Sequence, residues 1–234
     1  MSKLKRLLTP KFWKIPKKVK KWSVSPRSGP HKKFECIPLL VIVRDILKLT
    51  DSGSEAKKII KSGEILVDGK IRKDHAYPVG LMDVVSIPKI KRHLRIIPTS
   101  IGLELIEIPE KESKVKICKI NDKTVVKKRR IQLNLHDGKN VLVEKDVYKT
   151  GDSVLIEVPS QKILDHIKLE KGNLGLITKG KNSGKIAKIN KIILTKSMRE
   201  PNKVICKIEK KEVEVMKEYI LVVGKETPVI MLGE

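Results

Sequence analysis

Apolar residues at helical spacing open the interpretable part of the chain. Leu39, Leu40, Val43, Ile46 and Leu47 recur on one face and predict a helix. A second, shorter helix is predicted between Ser52 and Gly63. Ser52 with Glu55 three residues on forms a capping box, and Gly63 suits the first position past a helix end. Within it Ala56, Ile59 and Ile60 make an apolar side, while Lys57, Lys58 and Lys61 make a basic one. Asp68-Gly69, set between Ile65/Val67 and Ile71, signals a tight hairpin. Met82 to Ile87 follows as a strand.

From about Ile96 to Glu170 the period changes to two. Leu103 to Ile108, Lys114 to Ile120 and Asp152 to Val158 alternate apolar and polar positions. Asn121-Asp122, Asp137-Gly138 and Gly151-Asp152 mark turns. The segment predicts a small β domain, as a barrel or strongly curled sheet. A last β module begins near Glu170. There Leu174 to Ile177 and Ile186 to Ile189 flank a Gly/Lys loop, and strands continue at Val204 to Ile208, Glu212 to Val215 and Tyr219 to Val223. The fold class is α+β, mostly β.

Charge adds a partner to this picture. Fifty-two Lys and Arg against 27 acids give a net charge of +25. An excess of this size repels itself and implies a polyanion, with nucleic acid ahead of an anionic membrane surface. No apolar run approaches the roughly 18 residues of a membrane span. Aromatics make up 3% of the chain, too few for a stacked single-strand platform. Positive charge is densest in the first 34 residues, which hold ten Lys, two Arg and no acid. Pro10, Pro16, Pro26 and Pro30 break any long helix there. The pattern predicts an extended basic arm that orders only on a partner. Both tryptophans, Trp13 and Trp22, lie in this arm and suit docking or stacking.

Catalytic and metal chemistry find little support. Cys36, Cys118 and Cys206 are odd in number and far apart, which argues for a reducing cytosol rather than a disulfide framework. His31 and Cys36 are close, but no second ligand pair follows. Gly180-Lys-Asn-Ser-Gly-Lys185 is too short for a nucleotide-binding loop and precedes a strand. Asp68, Asp83, Asp122, Asp137 and Asp152 mostly occupy turns, where capping is their ordinary role. No catalytic residue, cofactor, metal or small-molecule substrate is expected.

The two-helix-plus-hairpin order of residues 37–95 resembles the alpha-L RNA-binding domain. The loop around Gly180 to Lys185 resembles a KOW motif, in which a small curled barrel offers a basic loop to RNA; here Ala187 stands where such motifs carry a second glycine. Ser25-Pro-Arg-Ser-Gly-Pro-His-Lys-Lys-Phe-Glu-Cys-Ile-Pro-Leu39 resembles the N-terminal signature of the archaeal and eukaryotic small-subunit ribosomal proteins of the "four-e" type. Leu4 to Leu7, Pro10 to Trp13 and Leu135-His-Asp-Gly138 occur in that family's order, and length with the Lys-over-Arg bias points to an archaeal member. One departure is Met82, which precedes Asp83 where the family's alpha-L domains often place glycine; the start of that strand is expected to shift.

This resemblance implies a non-catalytic structural component of the small ribosomal subunit, acting in the cytoplasmic ribosome. It divides the chain into a basic arm (1–36), an alpha-L domain (37–95), a central β domain (96–169) and a KOW-like, SH3-type β barrel (170–234). Ribosomal RNA and neighbouring ribosomal proteins are the partners, without a membrane. RNA contacts are expected from Lys3, Lys5, Arg6, Lys11, Trp13, Lys14, Lys17, Lys18, Lys20, Lys21, Trp22, Arg27, His31, Lys32 and Lys33 of the arm. The alpha-L domain and the basic link after it contribute Ser54, Lys57, Lys58, Lys61, Lys70, Arg72, Lys89, Lys91, Arg92 and Arg95. Lys127, Lys128, Arg129 and Arg130, then Lys179, Lys181, Asn182 and Lys185, complete the set. A KOW-type transcription or translation factor is one alternative. An RNA-modifying enzyme with an alpha-L grip is another, but the 147 residues after Ile87 (234 minus 87) read as small β modules rather than a catalytic domain.

Overall fold

The computed structural model describes residues 3–126, 129–195, 200–209 and 211–233. Two compact units divide the chain: residues 1–97 with 101–114, and residues 98–100 with 115–234.

The first unit opens with β1 (Lys3–Lys5), antiparallel to β2 (Trp22–Val24), with Lys5 opposite Trp22. Two 3₁₀ turns, Arg6–Leu8 and Lys11–Trp13, lie between them. β3 (Ile37–Pro38) leads into α1 (Leu39–Val41), which widens into a π-helical turn over Ile42–Ile46. α2 (Gly53–Ser62), β4 (Leu66–Val67), β5 (Lys70–Ile71), β6 (Pro78–Val79) and β7 (Val84–Ile87) follow. The main sheet adds β8 (Arg92–Thr99) and β9 (Gly102–Glu107), in the order β5-β4-β7-β8-β9, and α3 (Glu110–Ser113) comes last.

Its core corrects the disordered-arm expectation. Leu4, Trp13 and Ile15 join Leu39, Leu40, Val43, Ala56, Ile60 and Ile96 in one buried cluster. The Trp13 ring is 0% exposed, and its Nε1–H donates to the Cys36 carbonyl at 2.9 Å. Aperiodic apolar residues carry no local signal of where they pack; here they supply a wall of the core around α1 and α2.

A second correction concerns residues 89–95. The expected basic link is mostly strand, and the boundary at 95 falls inside β8. Leu94, Arg95 and Ile96 are all buried. A strand covered on both faces loses the period-two signature, so it reads as a connector. Met82 itself takes the left-handed conformation at φ 63°. A side chain there costs about 1–2 kcal/mol relative to a right-handed backbone, and glycine would avoid this.

The second unit contains two antiparallel sheets. β10 (Val115–Val126), β11 (Arg130–Leu135), β12 (Asn140–Val143), β13 (Ser153–Glu157) and β14 (Ile163–Ile167) form one, ordered β12-β11-β10-β13-β14. The expected turn at Asn121-Asp122 is instead an irregularity within β10, between Ile120 and Asp122. An inserted residue bends a strand without ending it. The other sheet comprises β15 (Leu174–Ile177), β16 (Ile186–Ile193), β17 (Lys203–Ile208), β18 (Lys211–Met216) and β19 (Ile220–Gly224). Its order is β18-β17-β16-β15-β19, with a 3₁₀ turn at Lys217–Tyr219 before the last strand.

Candidate nucleic-acid interface

α2 is built as its sequence dictates. Ser52 Oγ accepts from the Glu55 amide at 3.2 Å, and Gly63 ends the helix at φ 84°. Ala56 and Ile60 are buried, while Lys58 and Lys61 are exposed and Lys57 is half-buried. Ser54, also exposed, pairs its hydroxyl with Ser52 at 3.0 Å. The charge of this face is felt by a residue outside the helix. Burial lowers the His75 pKa, the charges of Lys57, Arg27 and Lys61 depress it further, and Asp74 opposes them. Arg27 is anchored to Asp74 at 3.3 Å. Lys57 and Lys61 of α2 and Arg27 of the N-terminal segment thus set a positive field at the buried His75 of the β5–β6 connection. Sequence reasoning missed His75, because the link to Lys57 is purely spatial.

Elsewhere in the first unit Lys70 is exposed on β5, and the Arg72 guanidinium lies 4.5 Å from the Tyr77 ring centroid. Lys89 pairs with Glu64 at 2.5 Å, a hydrogen bond that holds the Glu64 carboxyl below its ordinary pKa. Lys91 is exposed, and Arg92 pairs with Glu107 at 3.1 Å.

In the N-terminal segment Lys5, Lys11, Lys14, Lys18, Lys20, Lys21, Lys32 and Lys33 are exposed. Lys14 pairs with Glu104 at 2.5 Å, and half-buried Lys17 donates to the Thr9 carbonyl at 3.2 Å. Trp22 is 43% exposed, with the Lys21 ammonium 5.5 Å from its ring. The side chain of Lys3 lies outside the described set, as do Lys127 and Lys128.

Four expected contacts are corrected by burial. Trp13 is a core residue. Arg6 is buried beside Asp45 at 3.4 Å. The His31 imidazole bonds Asp83 at 2.9 Å and packs so tightly on Gly80 that a Cβ there would lie 2.3 Å from the ring. Arg95, fully buried, donates to the Glu112 carboxylate at 2.8 Å and to the Glu112 carbonyl at 3.0 Å. Each of these side chains joins parts of the first unit instead of facing solvent.

In the second unit Arg129 just before β11 and Arg130 at its start are exposed. The Gly/Lys loop presents Lys179, Lys181 and Lys185, with Asn182 half-buried. Gly180 and Gly184 take φ 90° and 87°. A Cβ on Gly184 would lie 2.8 Å from the Pro98 carbonyl oxygen, so glycine is required by space as well as by angle. Cys118, His136 and Asp137 bring a thiol, an imidazole and a carboxylate within 4.8 Å of one another. The Asp137 carboxylate already accepts from Lys116 at 2.8 Å and pairs with Lys139 at 3.1 Å; these ammonium groups repel a cation.

A short helix with one buried apolar face and a lysine face is the kind of surface that suits a nucleic-acid backbone. Three family models match: the RS4NT (NUC023) domain over residues 2–34, the S4 domain over 38–85 and ribosomal family S4e over 90–163. Small ribosomal subunit protein eS4 of Archaeoglobus fulgidus is 47% identical over 232 residues, covering 98% of this chain and 97% of that protein. Its counterpart from Methanothermobacter thermautotrophicus is 46% identical, covering 98% and 95%. The crystal structure of the 30S ribosomal protein S4e from Thermoplasma acidophilum superimposes with a TM-score of 0.70 at 29% identity, covering 82% of this chain and 96% of that one. The chain belongs to the eS4 family of small ribosomal subunit proteins.

Proposed function

We propose that the protein is a structural, non-catalytic constituent of the small ribosomal subunit that holds ribosomal RNA by shape and phosphate contact and so supports translation. The observation that carries this is the α2 face, where Lys57, Lys58 and Lys61 stand opposite the buried Ala56 and Ile60, within a chain similar along 98% of its length to small-subunit proteins. Lysines on a rigid helix act as point charges for phosphate and read no bases. Double-stranded RNA suits such a surface, because its base edges lie in a deep, narrow groove. The N-terminal lysines, Arg129–Arg130 and the Gly/Lys loop extend the contact. The strand order β18-β17-β16-β15-β19 and the 3₁₀ turn before β19 support the reading of residues 170–234 as a KOW-like, SH3-type barrel. Its place of action is the cytoplasmic ribosome, beside neighbouring ribosomal proteins.

Changing Lys57, Lys58 and Lys61 together to Glu tests the assignment. The apolar face is untouched, so the fold should survive. Affinity for small-subunit RNA should fall further than after the same change at Lys207, Lys211 and Lys225, which are exposed on and after the C-terminal strands. The salt dependence of binding should flatten as well, by about 0.7–0.9 in the log–log slope for each phosphate that the variant no longer engages. Equal falls in affinity for the two triple variants would mean binding by net charge alone.

A further inference from the structure

We propose that Lys119 is a positioning residue for RNA binding: from β10 it holds the 3₁₀ turn on which the basic loop at 178–185 is seated. This rests on the reading of that loop as an RNA contact. The Lys119 ammonium donates to the Lys217 carbonyl and to the Glu218 carbonyl, each at 2.8 Å. These are consecutive carbonyls of the turn Lys217–Tyr219. The next carbonyl, that of Tyr219, accepts twice from Thr178: from its amide at 2.8 Å and from its hydroxyl at 3.0 Å. Thr178 closes the base of the loop, since its carbonyl accepts from the Ser183 hydroxyl at 3.1 Å. Lys179, the first loop lysine, has its ammonium 5.8 Å from the Tyr219 ring centroid. A continuous chain of bonds therefore runs from Lys119 through the turn to the loop.

Electrostatics agree with this geometry. Burial above all, with the charges of Lys217 and Lys179 and against the opposing pull of Glu218, brings the Lys119 pKa from 10.5 down to about 8. A lysine held so close to other cations is poorly placed as a general surface charge. Its value lies in the two consecutive carbonyls that one ammonium ties together, which fixes the turn through charge-assisted hydrogen bonds. Removing the ammonium frees the turn, and with it the seat of Thr178 and Lys179. Loop charges held in place reach phosphates at a smaller entropic cost than mobile ones.

The test is a double-mutant cycle on RNA affinity in the full-length protein. Lys119→Met keeps the aliphatic stem and removes the donor. The second arm changes Lys179, Lys181 and Lys185 to Gln, and Lys225→Met controls for the loss of one charge. The expected result is a loss of about three- to tenfold for Lys119→Met, above that for Lys225→Met, and no further loss when the loop is already neutral. The Thr178 amide, which donates to Tyr219, should exchange faster with deuterium in Lys119→Met. If that variant does not fold, Lys119→Arg takes its place in the cycle, keeping charge and donors but not the geometry. Equal losses in both backgrounds, or unchanged exchange at Thr178, would overturn the inference while leaving the loop as an RNA contact. A loop variant that binds as tightly as the parent would overturn both.

Discussion

Lys116 and Asp137 face each other across 2.8 Å with side-chain exposures of 0% and 1%. Neither charge is tolerable alone in such a place; together they are bonded and compensated. Burial by itself would raise the Asp137 pKa. Lys116, then His136 and Lys139, override it and hold the carboxyl far below the ordinary range. A carboxyl with a depressed folded-state pKa stabilises fully above its unfolded pKa, near 4, and the contribution is lost as pH falls below that value. Asp137→Asn should therefore cost about 3–5 kcal/mol at pH 7, since it strands a buried ammonium. Urea unfolding of the two proteins measures the gap, which should shrink as the pH is taken below about 4. Here the sequence pointed elsewhere. Asp137-Gly138 reads as a turn, and Gly138 does adopt φ 73°; that the same aspartate neutralises a buried lysine 21 residues upstream has no local signature.

At the scale of the element, α2 and its surroundings can be followed by one reporter. His75 titrates below its ordinary 6.5 because it is buried and because Lys57, Arg27 and Lys61 repel its proton. RNA phosphates placed on those cations would offset the repulsion. The His75 pKa should therefore rise on RNA binding, an effect that imidazole proton shifts in a pH titration with and without RNA would record. An unchanged value would put the phosphates elsewhere. In the free protein the depressed pKa makes folding slightly less favourable as pH falls below about 6.5, since the unfolded chain takes up the proton first. The helix itself was legible in full: Ser52, Glu55 and Gly63 are local signals, and caps work through groups only a few residues apart. The Asp68-Gly69 hairpin was legible for the same reason, with φ 49° and 69° at its two turn residues. β8 was not, because its inward and outward faces are both covered.

Over the whole molecule the three cysteines report on the two units separately. Cys36 is buried in the first, Cys118 and Cys206 in the second. Burial, then the charges of Asp83 and Glu35, raises the Cys36 thiol to about 12, and burial raises Cys206 to about 11. Thiolate is the reactive form. At pH 8 an aqueous disulfide reagent should leave all three thiols unmodified in the native protein and label them in urea, and the order of labelling gives the order in which the units open. Rapid native labelling of any one would contradict the burial described here.

The sequence by itself determined the mostly β class of fold, the caps of α2, the Asp68-Gly69 hairpin, the excess of positive charge and the family, because these depend on spacing, on local backbone angles and on total charge. Only the tertiary structure decided which basic and aromatic residues face outward. Trp13 and Trp22 look alike in the N-terminal segment, yet one is sealed in the core of the first unit and the other is 43% exposed. Arg95 and Arg92 differ likewise by what covers them. Burial is a property of distant residues brought together, and charge or ring type in a one-dimensional pattern carries no record of that meeting.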